Sequence, residues 1–199
     1  MLDTRLGSRS RIPGSDAASA ASCWAFRVVF AVYGVALFAL LLLGGWWLAR
    51  ADRSPGRMAT ALWAPLGALL ALWVNQFFVH GFAEARPYTV LPHSLVLVNR
   101  STDFSFPSDH AVMAGAVAAG VLLTHRRLGL LTLALAVLMA ATRVYVGAHF
   151  PLDVVVGLLV GAAVSTAAYL LARPAGAWLV DRLAHTPARP LVTSARITP

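Results

Sequence analysis

Residues 154–172 read VVVGLLVGAAVSTAAYLLA, nineteen positions between Asp153 and Arg173 without one charged side chain. A helix rises about 1.5 Å per residue, and a bilayer core is about 30 Å thick, so a run of this length is enough to cross. Two further charge-free runs are of the same kind: 22 residues between Arg27 and Arg50, and 26 between Arg57 and Glu84. Over the whole chain of 199 residues, 59% are hydrophobic and 12% charged, with a mean hydropathy of +0.72. A water-soluble domain of this size carries far more charge on its surface. The fold class is therefore all-α, a polytopic transmembrane helical bundle.

Working outward from that run, five spans are expected, at about 25–49, 58–81, 107–125, 128–146 and 151–172. Trp46 and Trp47 close the first as an interfacial aromatic belt. Residues 1–22, rich in Ser, Ala, Gly and Arg, are expected to form a disordered tail. Residues 23–173 form the membrane domain, and 174–199 a flexible C-terminal tail. All 16 basic residues are arginine, and the formal charge is +8. Arginines at span ends facing lipid headgroups account for this charge, so no nucleic-acid partner is needed. Cys23 is the only cysteine, which excludes an internal disulfide and a cysteine metal cluster. Gly115 and Ala119, Ala116 and Gly120, and Gly157 and Gly161 repeat small side chains at four-residue spacing, which suits close helix packing in lipid but also follows from an alanine-rich composition.

Five spans place the long segment Phe82–Phe106 and the short one Gly147–Phe150 on the same side. The unusual polar residues gather there, in Glu84-Ala85-Arg86-Pro87-Tyr88, Phe106-Pro107-Ser108-Asp109-His110, and Arg143 through Asp153. Ionisable residues at bilayer depth are expensive and mostly functional. Pro107 suits a first helical turn with Ser105 as its N-cap, which makes Ser108 and the free N–H of Asp109 an anion site at the helix's positive end. His149 lies four residues before Asp153, one helical turn, so the carboxylate is placed to accept the Nδ1 proton and leave Nε2 free. Arg86 and Arg143 offer planar forks that match phosphate oxygens.

These parts suit phosphoryl transfer without a metal or any other cofactor. His149 would attack phosphorus, while Arg86, Arg143, Ser108 and the helix amides hold the transition-state charge. His110 would protonate the departing oxygen and then activate water.

The same residues resemble the three-part signature of the type 2 phosphatidic acid phosphatase superfamily: Lys-x6-Arg-Pro, Pro-Ser-Gly-His, and Ser-Arg-x5-His-x3-Asp. Arg86-Pro87 is similar to the end of the first part, Pro107 to His110 to the second, and Arg143, His149 and Asp153 to the third. The chain departs from it with Val79 where the lysine should stand, Asp109 for the glycine, and Thr142 for the serine. His80 is adjacent to the missing lysine, although an interfacial histidine needs no such role. The Ser-Phe-Pro-Ser-Asp-His form in so small a chain most resembles the bacterial undecaprenyl-diphosphate phosphatase branch. That resemblance implies hydrolysis of a polyprenyl diphosphate at the external face of the cytoplasmic membrane. Phosphatidic acid, phosphatidylglycerol phosphate or a polyprenyl-linked sugar phosphate are alternative substrates, and a lipid-binding or transporting bundle without turnover is the alternative of another class. With the N-terminus outside, nine arginines fall on the cytoplasmic side and seven on the other, five once Arg86 and Arg143 are set aside. The positive-inside rule then favours an external site.

Overall fold

The computed structural model describes residues 34–52, 54–91 and 100–193. Five apolar helices build the bundle: α1 (Gly34–Ala51), α2 (Pro55–Phe82), α4 (Asp109–Thr124), α5 (Arg126–Tyr145) and α6 (Pro151–Ala184). Two single-turn helices, α3 (Pro87–Val90) and α7 (Arg189–Val192), complete it. Four of the five are long and apolar enough to cross a membrane; α4, with 16 residues, is the short one. Over the described residues, each of the five expected spans coincides with a helix, the first from Gly34 onward. The expected disordered tail at 1–22, Cys23 and the apolar run Leu95–Val98 lie outside the described residues.

Local chemistry sets the helix ends. Pro55 opens α2, where Ser54 Oγ accepts from the Arg57 N–H. At the other end Ala83 adopts a left-handed conformation and returns its N–H to Val79. His125 caps α5 by accepting the Leu128 N–H at 3.3 Å. Ser108, not Ser105, is the N-cap of α4, which therefore starts two residues later than Pro107. The fifth span also runs past its expected end: α6 continues through Pro174 to Ala184, so residues 174–184 of the expected flexible tail are helical. Val180 on this extension and Val192 on α7 pack with Ala49, Met58 and Ala59, and this apolar cluster holds the extension in place.

The central helix is α4, packed against α2, α5 and α6. Its Val112, Val117 and Val121 are buried with Phe38, Ala68 and Met139 from the surrounding helices. The outward faces are apolar as well, with Leu69, Trp73, Leu131 and Leu159 all exposed, as expected of surfaces covered by lipid. A Cβ added at Gly161 would collide with the Val112 carbonyl, and one at Gly115 with the Leu158 carbonyl. At Gly157 it would lie 2.9 Å from the Ala111 methyl. The small residues therefore do bring the α4 and α6 backbones together. At one end of the bundle this packing gathers the C-termini of α2 and α5 with the N-termini of α4 and α6.

Candidate active site

Each site residue reaches this end by a separate local device. Beyond α5 the chain reverses in a tight turn, with the Gly147 N–H bonded to Val144 and the Ala148 N–H to Arg143. Gly147 has φ 72°, a conformation that favours glycine. The turn delivers His149 beside Pro151, the first residue of α6. Arg86 precedes Pro87 at the start of α3, and Ser108 and Asp109 stand at the start of α4.

His149 and Asp153 are both buried, at 4% and 1% exposure. The nearest partner of His149 Nδ1 is the carbonyl of Ser105 at 2.8 Å, while Asp153 Oδ2 lies 3.5 Å away. A carbonyl only accepts, so Nδ1 carries the proton and Nε2 the lone pair. Arg86 Nη1 lies 3.3 Å from Nε2, where it donates to that lone pair. The expected tautomer is present, but the backbone of Ser105 holds it more closely than the carboxylate does. Asp153 Oδ2 meanwhile accepts a hydrogen bond from the Ser105 hydroxyl and another from the Phe150 N–H at 2.9 Å. Ser105 thus supports both members of the pair. Its part is played mostly by a backbone carbonyl, which a reading of side-chain motifs does not reveal.

Arg86 is held at three points: Nε donates to the Asp103 carbonyl at 2.9 Å, and Nη1 reaches the Ala148 carbonyl at 3.2 Å and His149. Asp103 positions this arginine through its backbone, while its carboxylate accepts from the Ser101 hydroxyl. Arg86, Arg143, His110 and His149 all lie within Coulombic reach of one another. Burial, the largest influence, pushes the His149 pKa below its ordinary value. The hydrogen bond with Asp153 opposes that shift, while the charges of Arg143 and Arg86 add to it. The imidazole is accordingly neutral at neutral pH.

Two donors are left over. Among the described residues, Ser108 Oγ and Arg143 Nε are buried without a hydrogen-bond partner, an arrangement that suits an incoming anion. The Ser108 N–H is taken by the Asp153 carbonyl at 3.2 Å, which ties α4 to α6 across the site. Among the described residues the Asp109 carboxylate pairs with no arginine: its Oδ1 accepts from Asn75 at 2.8 Å and Gln76 at 3.1 Å, both on α2. Beside Arg86 lies a cavity of about 340 Å³, lined among others by Gln76, His80, Thr102, Asp103 and Asp109. Val79, where the signature has lysine, is a buried residue at its wall. Among the described residues, no group of three or more His, Cys, Asp or Glu side chains is placed to hold a metal ion. All seven residues expected at the site are thus gathered at one end of the bundle.

A polytopic helical bundle that gathers a buried histidine and two arginines at one end defines a multi-pass membrane protein. The chain belongs to the PAP2 superfamily, whose model matches residues 60–176. It is 35% identical over 98 residues to an undecaprenyl-diphosphatase of Sulfolobus acidocaldarius, covering 49% of this chain and 48% of that protein. It is 29% identical over 129 residues to undecaprenyl-diphosphatase BcrC of Bacillus subtilis, covering 64% of each. The chain thus spans about half to two thirds of the length of these relatives. The fold is similar to the crystal structure of a transmembrane PAP2 type phosphatidylglycerolphosphate phosphatase from Bacillus subtilis, with a TM-score of 0.54 at 20% identity, over 83% of this chain and 80% of that one.

Proposed function

We propose that this chain is a metal-independent membrane lipid phosphatase that hydrolyses a polyprenyl diphosphate, such as undecaprenyl diphosphate, to the monophosphate. The observation that carries the reading is the His149 imidazole, buried, with Nδ1 bound to the Ser105 carbonyl and Nε2 left as an acceptor beside Arg86. Nε2 attacks the terminal phosphorus, and the bond from phosphorus to the bridging oxygen breaks. His110 gives that oxygen its proton, so the lipid monophosphate leaves. Water then attacks the phosphohistidine, His110 takes the water's proton, and orthophosphate is released with His149 restored. Arg86, Arg143, Ser108 Oγ and the Asp109 N–H hold the phosphoryl oxygens throughout. Asp153 keeps His149 oriented. The names of the two relatives support the choice of a diphosphate, and the arginine balance supports an active site on the external face of the cytoplasmic membrane.

A substrate panel on purified protein in one detergent tests this reading. A polyprenyl diphosphate is expected to show kcat/KM at least tenfold above phosphatidic acid, about 1.4 kcal/mol in transition-state binding. Equal or better turnover of phosphatidic acid or phosphatidylglycerol phosphate would reassign the substrate. Binding of these lipids without turnover would make the protein a lipid-binding bundle.

A further inference from the structure

Asn75 is completely buried in the C-terminal half of α2, inside a run with no charge for 26 residues. A buried amide in such a helix is costly unless its hydrogen bonds are made. Its Nδ2 makes two, and both go to the loop that opens α4: the Pro107 carbonyl at 3.2 Å and Asp109 Oδ1 at 2.8 Å, while its Oδ1 is buried without a partner among the described residues. These acceptors stand on either side of Ser108. Both are acceptors only, so the orientation of the amide is fixed by its partners. Gln76 adds a second donor to the same carboxylate oxygen at 3.1 Å. From the other side, the Asp153 carbonyl of α6 takes the Ser108 N–H, while the Ser108 carbonyl accepts the N–H of Val112 within α4. Every backbone hydrogen-bonding group from the Pro107 carbonyl to the Ser108 carbonyl is therefore committed. The Ser108 hydroxyl, fully buried, is the group left over.

We propose that Asn75 is a positioning residue for the reaction: by gripping Pro107 and Asp109 it fixes Ser108, and His110 one residue further on, against the transferred phosphate. Asp109 then contributes its N–H to the phosphate while its carboxylate serves as the latch that Asn75 holds. This rests on the proposed phosphatase reading for its kinetic consequence, and on geometry alone for its effect on anion binding. Misplacement of reacting groups by about 1 Å can cost about a hundredfold in rate. Asp109→Asn retains an acceptor oxygen and so preserves the latch, whereas Asn75→Asp sets a carboxylate against both acceptors.

The test combines kinetics, thermal unfolding and direct orthovanadate titration on the detergent-solubilised protein. Asn75→Ala is expected to fold, to lose at least about tenfold in kcat with KM changed less than about threefold, and to bind vanadate at least about fivefold more weakly. Asn75→Asp should be the most impaired, and the pair Asn75→Asp with Asp109→Asn should recover at least about fivefold over it, because the donor and acceptor of the bond between these two residues have changed places, while the Pro107 carbonyl still faces a carboxylate. If Asn75→Ala does not fold, the exchanged pair decides: recovery supports the latch, and no recovery overturns it. A folded Asn75→Ala protein with unchanged kcat and vanadate affinity also overturns it, because burial alone would move only the melting temperature. Should the parent protein turn over no lipid phosphate, the function is wrong but the vanadate titrations still decide the latch.

Discussion

His149 Nδ1 and the Ser105 carbonyl oxygen are 2.8 Å apart, nearer than the 3.5 Å that separates the same nitrogen from Asp153. Two acceptors thus share one proton, and the nearer belongs to the backbone, which no side-chain substitution removes.

That division predicts unequal losses. His149→Ala should reduce phosphatase activity to background in protein that still folds. Asp153→Asn should retain a measurable remainder, because the Ser105 carbonyl continues to hold the proton on Nδ1. Where a carboxylate is the sole orienting group, its amide replacement costs about 10⁴ in kcat. Here a loss of about 10² to 10³ is expected, from steady-state rates on a polyprenyl diphosphate. Full activity in His149→Ala would rule out the phosphohistidine route.

The pH profile follows from the burial of His149. Its pKa is held below the ordinary value of about 6.5, so the acid limb of kcat/KM should fall below that pH. Asp153 raises the pKa, and its replacement by Asn should move the limb further to the acid side. The sign for stability is the same. The neutral ring is favoured in the folded state, so its contribution is complete above pH 6.5 and is lost as pH falls toward the folded value. An acid limb above 6.5 would contradict this assignment.

How far the sequence goes can be judged residue by residue. The spans were legible because charge is excluded over lengths that match a bilayer. His149 and Asp153 were legible because one helical turn separates them. Ser105 was not, since its carbonyl carries the contact and the residue sits in a long segment with no periodicity. Asn75 and Gln76 left a usable sign, two adjacent amides inside an apolar run, but their partner lies 34 residues away from Asn75 and 33 from Gln76. The helical continuation beyond Ala172 was hidden by Arg173 and Pro174, which resemble a span end, while Val180 and Val192 supply the packing that overrides them.

Packing between α4 and α6 predicts a graded response at two glycines. Gly161→Ala should lower the melting temperature and the activity together, since its methyl group meets the Val112 backbone. Gly81→Ala, where an added Cβ meets nothing within 4 Å, should change neither by more than a small amount. Thermal unfolding in detergent, run beside the assay, reads both.

Sidedness has its own measurement. With Cys23 replaced by Ser, single cysteines at Ser101 and Arg126 fall at opposite ends of the bundle, and both positions are exposed. In intact cells an impermeant thiol reagent should label Ser101→Cys and spare Arg126→Cys. The reverse pattern would put the site in the cytoplasm.

The brevity of α4 has a consequence for who travels to whom. Sixteen residues make a helix of about 24 Å, some 6 Å less than the hydrocarbon slab it stands in. Ser108, its N-cap, and His110, in its first turn, stand at the active-site end of this short helix. In the proposed reaction a lipid brings its phosphate to this end while its tail stays in the leaflet. The water of the proposed hydrolytic half-reaction would reach the same end from the surface, so that half of the cycle depends on an open path.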